Sequence, residues 1–249
     1  MTTSNPSDIL SIENLSIGYG SRTVASHLSA TLRAGCLTCL VGRNGVGKST
    51  LLKTLSGFLP PLSGTVCISG RDASALTGRE RARLVSVVLT GRPEVRMLTV
   101  EETVALGRTP YTNLWGRLTA HDTAVIDSSI AAVGIAPLRH RNIGSLSDGE
   151  CQKVMIAKAL AQTTPLVLLD EPTAFLDYPS KAETMRLLKS ITMAGGAHGS
   201  RVTALLSTHD MEMALRLADR LWVMTSDRTL CTGTPGELHE VLKKEKLIF

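Results

Sequence analysis

Residues 42–50 read GRNGVGKST and follow directly on the apolar run Cys36–Val41. The octet Gly42–Ser49 satisfies G-x-x-x-x-G-K-[ST] in full, and its surroundings fit as well. LTCLV at 37–41 has the make-up of a short buried strand, and STLLKTLSG at 49–57 has helical spacing that stops at Gly57. These residue types are the ones a phosphate chain requires. Glycines let main-chain N–H groups turn inward around phosphate oxygens, and the N-terminus of the following helix adds a favourable dipole. Gly42, Arg43, Asn44, Gly45, Val46, Gly47, Lys48, Ser49 and Thr50 therefore form the expected phosphate cradle. Lys48 can reach the β and γ phosphates, the Ser49 hydroxyl can ligate Mg²⁺, and Thr50 can add a phosphate hydrogen bond.

A second motif lies some way downstream. LVLLDEP at 166–172 is an apolar strand that ends in two carboxylates. An acid at such a tip can hold Mg²⁺ beside the phosphate loop, which assigns Asp170. Glu171 then faces the terminal phosphate, where it can position or deprotonate water.

Outward from these motifs, strands are read at 9–17, 64–70, 85–89, 202–207 and 221–225, in addition to 37–41 and 166–170. Between Pro93 and about Ala161 the pattern is helical: TVEETVALGR, HDTAVIDSSIAAVG and DGECQKVMIAKALA. Strands alternating with helices imply a parallel sheet covered on both sides. The expected organisation is one domain, with about 1–92 and 162–249 as an α/β core and about 93–161 as a helical insertion.

Bulk properties limit the remaining possibilities. The 249 residues are 43% apolar, enough for a sizeable core, and 20% charged, which argues against wholesale disorder. Aromatics are only 3%, too few for the ring platforms of a single-strand nucleic-acid binder, so no nucleic-acid partner is expected. The net charge of +5 suits phosphate ligands, nucleic acid or an anionic membrane surface and selects none of them. Among five cysteines, Cys36 and Cys39 form a C-x-x-C. On a strand, positions three apart face opposite ways, so both are read as buried thiols. An odd number of cysteines in no framework suggests a reducing compartment. The start MTTSNPSDIL has neither a basic region nor a long apolar stretch, and no run approaches the roughly 18 apolar residues of a membrane span. A soluble, cytoplasmic protein is expected.

LSDGE at 146–150 narrows the field. Ser147 and Glu150 make an S-x-x-E capping box for the following helix, and a capped helix N-terminus that offers the Gly149 N–H and the Ser147 hydroxyl is also an anion site. The stretch resembles the signature motif of ATP-binding cassette (ABC) ATPases, usually written LSGGQ. Other positions match that family in order. Tyr19 resembles the aromatic that stacks on adenine. AFLD at 174–177 resembles the D-loop, with Asp177 at the dimer seam. His209 in LSTHD resembles the switch histidine that contacts the γ-phosphate. The resemblance implies a P-loop NTPase (RecA-like) core, an N-terminal antiparallel β subdomain and the inserted helical subdomain. It implies Mg²⁺ and ATP as ligands, with Glu171, His209 and Lys48 as catalytic residues. It also implies an ATP-dependent homodimer, in which Leu146, Ser147, Asp148, Gly149 and Glu150 of one copy close on the ATP of the other. Two departures stand out. Asp148 and Glu150 replace Gly and Gln, and the charge of Glu150 has to be offset by nearby cations. Thr90 stands where the family carries a metal-reaching glutamine, and its short hydroxyl is expected to act through an intervening water.

TVEETVALGRTPYTNLWG at 99–116 closely resembles the segment found in importer ATPases for iron–siderophore complexes, haem and vitamin B12. Thr99 and Glu102 form another capping box. Pro110, Tyr111, Leu114 and Trp115 place two of the few aromatics in a loop, and exposed rings there suit a permease contact. The resemblance thus implies an importer subunit, peripheral on the cytoplasmic face of the inner membrane, with permease subunits and, indirectly, a solute-binding protein as partners. Two alternatives are kept. A soluble ABC ATPase without a permease is disfavoured by the single cassette and the lack of coiled-coil or zinc insertions, and an exporter ATPase by the 99–116 segment.

Overall fold

The computed structural model describes residues 8–91, 97–113, 115–194 and 202–248. The chain opens with β1 (Asp8–Tyr19) and β2 (Arg22–Arg33), an antiparallel hairpin, then β3 (Leu37–Gly42) and α1 (Lys48–Ser56). β4 (Ser63–Ile68), β5 (Arg71–Asp72), α2 (Gly78–Ala82) and β6 (Val85–Val88) follow. The helical stretch supplies α3 (Val100–Ala105), α4 (Ala120–Ala132) and α5 (Asp148–Ala161). The chain then alternates through β7 (Leu166–Leu169), α6 (Tyr178–Ala194), β8 (Thr203–Ser207), α7 (Met211–Leu217), β9 (Arg220–Met224), β10 (Leu230–Gly233) and α8 (His239–Lys244).

Two sheets result. One is antiparallel, in the order β2-β1-β4-β5; the other runs β10-β9-β3-β8-β7-β6 and is parallel except for the β9–β10 edge pair. The continuous apolar runs of the central strands follow from burial on both faces. Leu37, Cys39 and Val41 of β3 join Leu169, Leu206 and Val223 in a core shared with α3, α4, α5 and α6. Their alternates Leu40, Leu168, Leu205 and Trp222 face the other way, into a core with Leu51 and Leu55 of α1 and the β1–β2 hairpin. Cys39 is fully buried, and burial pushes its thiol up to about 12, whereas Cys36 lies in the turn before β3 and is half-buried.

Four helix starts follow capping signals. Capping boxes close at Thr77–Glu80, Thr99–Glu102, Thr119–Asp122 and Ser147–Glu150. Strand and helix limits differ from the sequence expectation by a few residues: VSVVL ends at Val88, and TVEETVALGR tightens into a 3₁₀ turn at Leu106–Arg108. β2 was not foreseen at all. Its alternation is broken at His27, which takes positive φ (55°), as Asn14 (47°) does on β1, at irregularities in the β1–β2 register.

Helices α3, α4 and α5 are tied by one buried cation. Arg108 donates from Nε to Asp122 Oδ1 (2.8 Å) and from Nη1 to the Ala161 carbonyl (2.7 Å) and Thr163 Oγ1 (3.0 Å). The same guanidinium stacks on Tyr111, 4.0 Å from the ring centroid, with Arg83 at 5.1 Å. The Tyr111 hydroxyl donates to the Gln162 carbonyl at 3.1 Å. This corrects the reading of Tyr111 as an exposed ring: it is a packed, hydrogen-bonded one. Trp115 is 86% exposed, as expected, and Leu114 lies outside the described residues. No helix among the described residues is long and apolar enough to cross a membrane.

Candidate functional site

The parallel sheet brings the tips of β3, β7 and β8 side by side, because β8 lies between β3 and β7. The 42–47 loop leaves β3 and enters α1 through Gly47, which takes φ 118°, a left-handed cap that a side chain would strain. At Gly42 a Cβ would stand 2.5 Å from the Met224 carbonyl of β9, so only glycine lets β3 turn there.

Lys48 is 6% exposed and donates back to the carbonyls of Gly42 (2.8 Å) and Arg43 (3.2 Å). Burial pushes its ammonium below the usual lysine range, and the carboxylates of Glu171 and Asp170 oppose that shift. Ser49 Oγ donates to Asp170 Oδ1 at 3.0 Å, so the two expected metal-holding residues converge. Both present oxygen, the donor type a hard divalent cation takes, and the set fits Mg²⁺.

Sequence reading missed Ser207, at the tip of β8. Its hydroxyl donates to Asp170 Oδ1 (2.7 Å) and accepts from the Glu171 main-chain N–H (2.9 Å). The sequence offered only a strand-end hydroxyl, and its role depends on β8 lying beside β7. Glu171 has φ +45°, a left-handed conformation that costs an L-residue about 1–2 kcal/mol. Its Oε2 lies 3.5 Å from His209 Nδ1, which brings together the two residues expected at the terminal phosphate.

Thr90 sits just past the end of β6. Its hydroxyl was expected to act through a water, but the structure has it donating directly to the Asp170 main-chain carbonyl at 2.6 Å.

A cleft of about 640 Å³ opens over the loop, lined by Tyr19, Arg22, Val24, Asn44, Gly45, Gly47–Thr50 and Glu171. Tyr19 is half-exposed, with its hydroxyl 3.5 Å from Thr50 Oγ1, so a flat ligand group can lie against its ring while phosphates reach the loop. Arg22 and Val24 were not singled out in the sequence; they come from the unforeseen β2.

Residues 146–150 are absent from the lining of that cleft. Asp148 instead borders a small crevice of about 30 Å³ with Gly91, Cys151, Glu171 and Phe175. Ser147 caps α5, with its Oγ accepting from Glu150 N–H (3.3 Å) while Glu150 Oε2 accepts from Ser147 N–H (2.9 Å). The Ser147 main-chain bond in particular holds the Glu150 carboxyl below the usual range, helped by the charges of Arg141 and Lys153. Asp177 accepts from the Ser180 N–H at 3.2 Å at the start of α6.

A family model described as ABC transporter matches residues 25–174. An uncharacterized ABC transporter ATP-binding protein of Methanocaldococcus jannaschii is 39% identical over 237 residues, 95% of this chain and 79% of that one. The ferric enterobactin transport ATP-binding protein of Escherichia coli is 34% identical over 226 residues, 91% of this chain and 82% of that one. Among solved structures, cbiO1 of Clostridium perfringens, part of the ABC transporter complex cbiONQ, matches with a TM-score of 0.81 at 26% identity, covering 97% of this chain and 95% of that one.

Proposed function

The chain belongs to the ABC transporter family, and from that membership and the geometry of its cleft we propose that it is the ATP-hydrolysing subunit of an importer for an iron–siderophore, haem or cobalamin-type cargo. One arrangement carries the reading. Lys48, Ser49, Asp170 and Glu171 converge at the mouth of the glycine loop, with His209 3.5 Å from Glu171.

Each residue has a task that follows from its position. The amides of residues 42–50 surround the phosphate chain, and Tyr19 supports the adenine. Lys48 gives up its bonds to the Gly42 and Arg43 carbonyls and turns its charge onto the β and γ phosphates. Ser49 and Asp170 hold Mg²⁺, which when bound offsets phosphate charge. Glu171 accepts the proton of the attacking water, and His209 donates to the γ-phosphate.

The cleft has no lining residue from 146–150, which supports a second copy as the source of that contact. Ser147 and Gly149 of one copy then face the terminal phosphate held by the other, and Asp177 lies at the seam. Residues 1–92 and 162–249 act as the nucleotide-binding core, and 93–161 as the arm that meets a membrane permease. Exposed Trp115 is the main contact. The subunit sits peripherally on the cytoplasmic face of the membrane, with a solute-binding protein on the far side and no nucleic acid involved. The cargo class rests on the 99–116 segment and on the ferric enterobactin relative. ATP hydrolysis by the wild-type chain, set beside Glu171→Gln, tests the enzyme. Wild-type hydrolysis with loss in the variant is expected; equal rates contradict the role of Glu171.

A further inference from the structure

The peptide unit between Asp170 and Glu171 is held on both of its polar atoms by side-chain hydroxyls. Its carbonyl oxygen accepts from Thr90 Oγ1 at 2.6 Å, and its N–H donates to Ser207 Oγ at 2.9 Å. The two hydroxyls arrive from opposite sides, Thr90 just past the end of β6 and Ser207 at the tip of β8, with β7 between them. The last main-chain rung on the β6 side is Asp170 N–H to the Val88 carbonyl at 2.9 Å, so the Thr90 hydroxyl extends that pairing by one side-chain rung.

This peptide joins the residue proposed to hold Mg²⁺ to the one proposed to activate water. It also leads into a strained conformation. Glu171 has φ +45° and precedes Pro172, and such geometry persists only where its surroundings over-determine it. Rotation of the peptide plane would break both hydroxyl bonds and swing the Glu171 carboxylate away from its place 3.5 Å from His209. A β-branched threonine suits the task, because its hydroxyl is stiff at χ1.

We infer that Thr90 is a positioning residue: together with Ser207 it fixes the Asp170–Glu171 peptide and so aims the water-activating carboxylate. The inference rests on the proposed ATPase role of Glu171. It differs from a glutamine-like role, because the Thr90 proton is used on the main chain and not on a metal or a water.

The test compares Thr90→Val, which keeps the shape and removes the hydroxyl, with Thr90→Ser, which keeps the hydroxyl. Steady-state ATP hydrolysis, ATP affinity without turnover and amide hydrogen exchange of the 166–176 segment in the nucleotide-free protein are measured on the full chain. A shift of about 1 Å at a reacting group costs roughly 10–100-fold, so Thr90→Val should lose that much kcat, with ATP Kd within about 2-fold of wild type and faster exchange at Glu171. Thr90→Ser should restore kcat and exchange protection. Three outcomes overturn the inference: wild-type kcat and exchange in Thr90→Val, an equal loss in Thr90→Ser, or ATP affinity falling in step with kcat. The ATPase reading fails separately, if the wild-type chain does not hydrolyse ATP; the exchange comparison still decides whether Thr90 holds the peptide.

Discussion

Ser49 Oγ stands 3.0 Å from Asp170 Oδ1, although 121 residues separate them in the chain. The fold closes that distance by laying β8 between β3 and β7, so that the strand feeding the glycine loop and the strand ending in the acids finish at the same edge. Removing divalent cations with a chelator should abolish hydrolysis. Ser49→Ala should raise the Mg²⁺ concentration for half-maximal activity by about 10-fold or more, as losing one oxygen donor predicts. A Mg²⁺ titration of ATPase rate checks this, and an unchanged midpoint would remove Ser49 from the metal's donors.

The buried Arg108–Asp122 pair gives a stability prediction. Burial works to raise the Asp122 carboxyl, but hydrogen bonds from Thr119 and Arg108 together outweigh it and bring it down to about 2. A depressed carboxylate contributes stability above its ordinary value of about 4, and that share is lost as pH falls toward its folded value. Asp122→Asn leaves the Arg108 charge buried and uncompensated, a loss of about 3–5 kcal/mol and a melting temperature lower by on the order of 10 °C. Thermal melts from pH 7 to pH 3 should show the gap between wild type and variant narrowing as the solution becomes acid.

Tyr111 and Trp115, four residues apart, should separate stability from coupling. Trp115 is 86% exposed, so Trp115→Ala should leave the melting temperature and the ATPase rate of the isolated chain unchanged while lowering cargo uptake in the assembled transporter. Tyr111 is stacked by Arg108 and hydrogen-bonded to the Gln162 carbonyl, so Tyr111→Ala should destabilise the chain by roughly 1–3 kcal/mol. Melting curves and uptake into vesicles distinguish the two. Normal uptake by Trp115→Ala would remove that ring from the permease contact.

Local rules made much of the site legible. The glycine loop, its flanking strand and helix, the acids after LVLL and the S/T-x-x-E caps each carry their signal within a few residues, and each lies where it was expected. What escaped depends on contacts far apart in sequence. β2 escaped because positive φ at His27 breaks the alternation that would have marked it, and Arg22 and Val24 were lost with it. Ser207 reads as an ordinary strand-end serine until β8 is placed beside β7. Tyr111 looks like a loop aromatic until Arg83 and Arg108 close over it. For Thr90, composition gave a hydroxyl but not its target, which lies 80 residues away.

The central claim is that ATP is enclosed between the glycine loop of one copy and the capped α5 terminus of another. Its most direct test is the solution mass of Glu171→Gln at saturating Mg–ATP. The mass is expected to double on nucleotide binding, and a further Ser147→Arg change should return it to that of one chain while ATP stays bound. A Glu171→Gln protein that binds ATP fully and keeps the mass of a single chain would contradict the account.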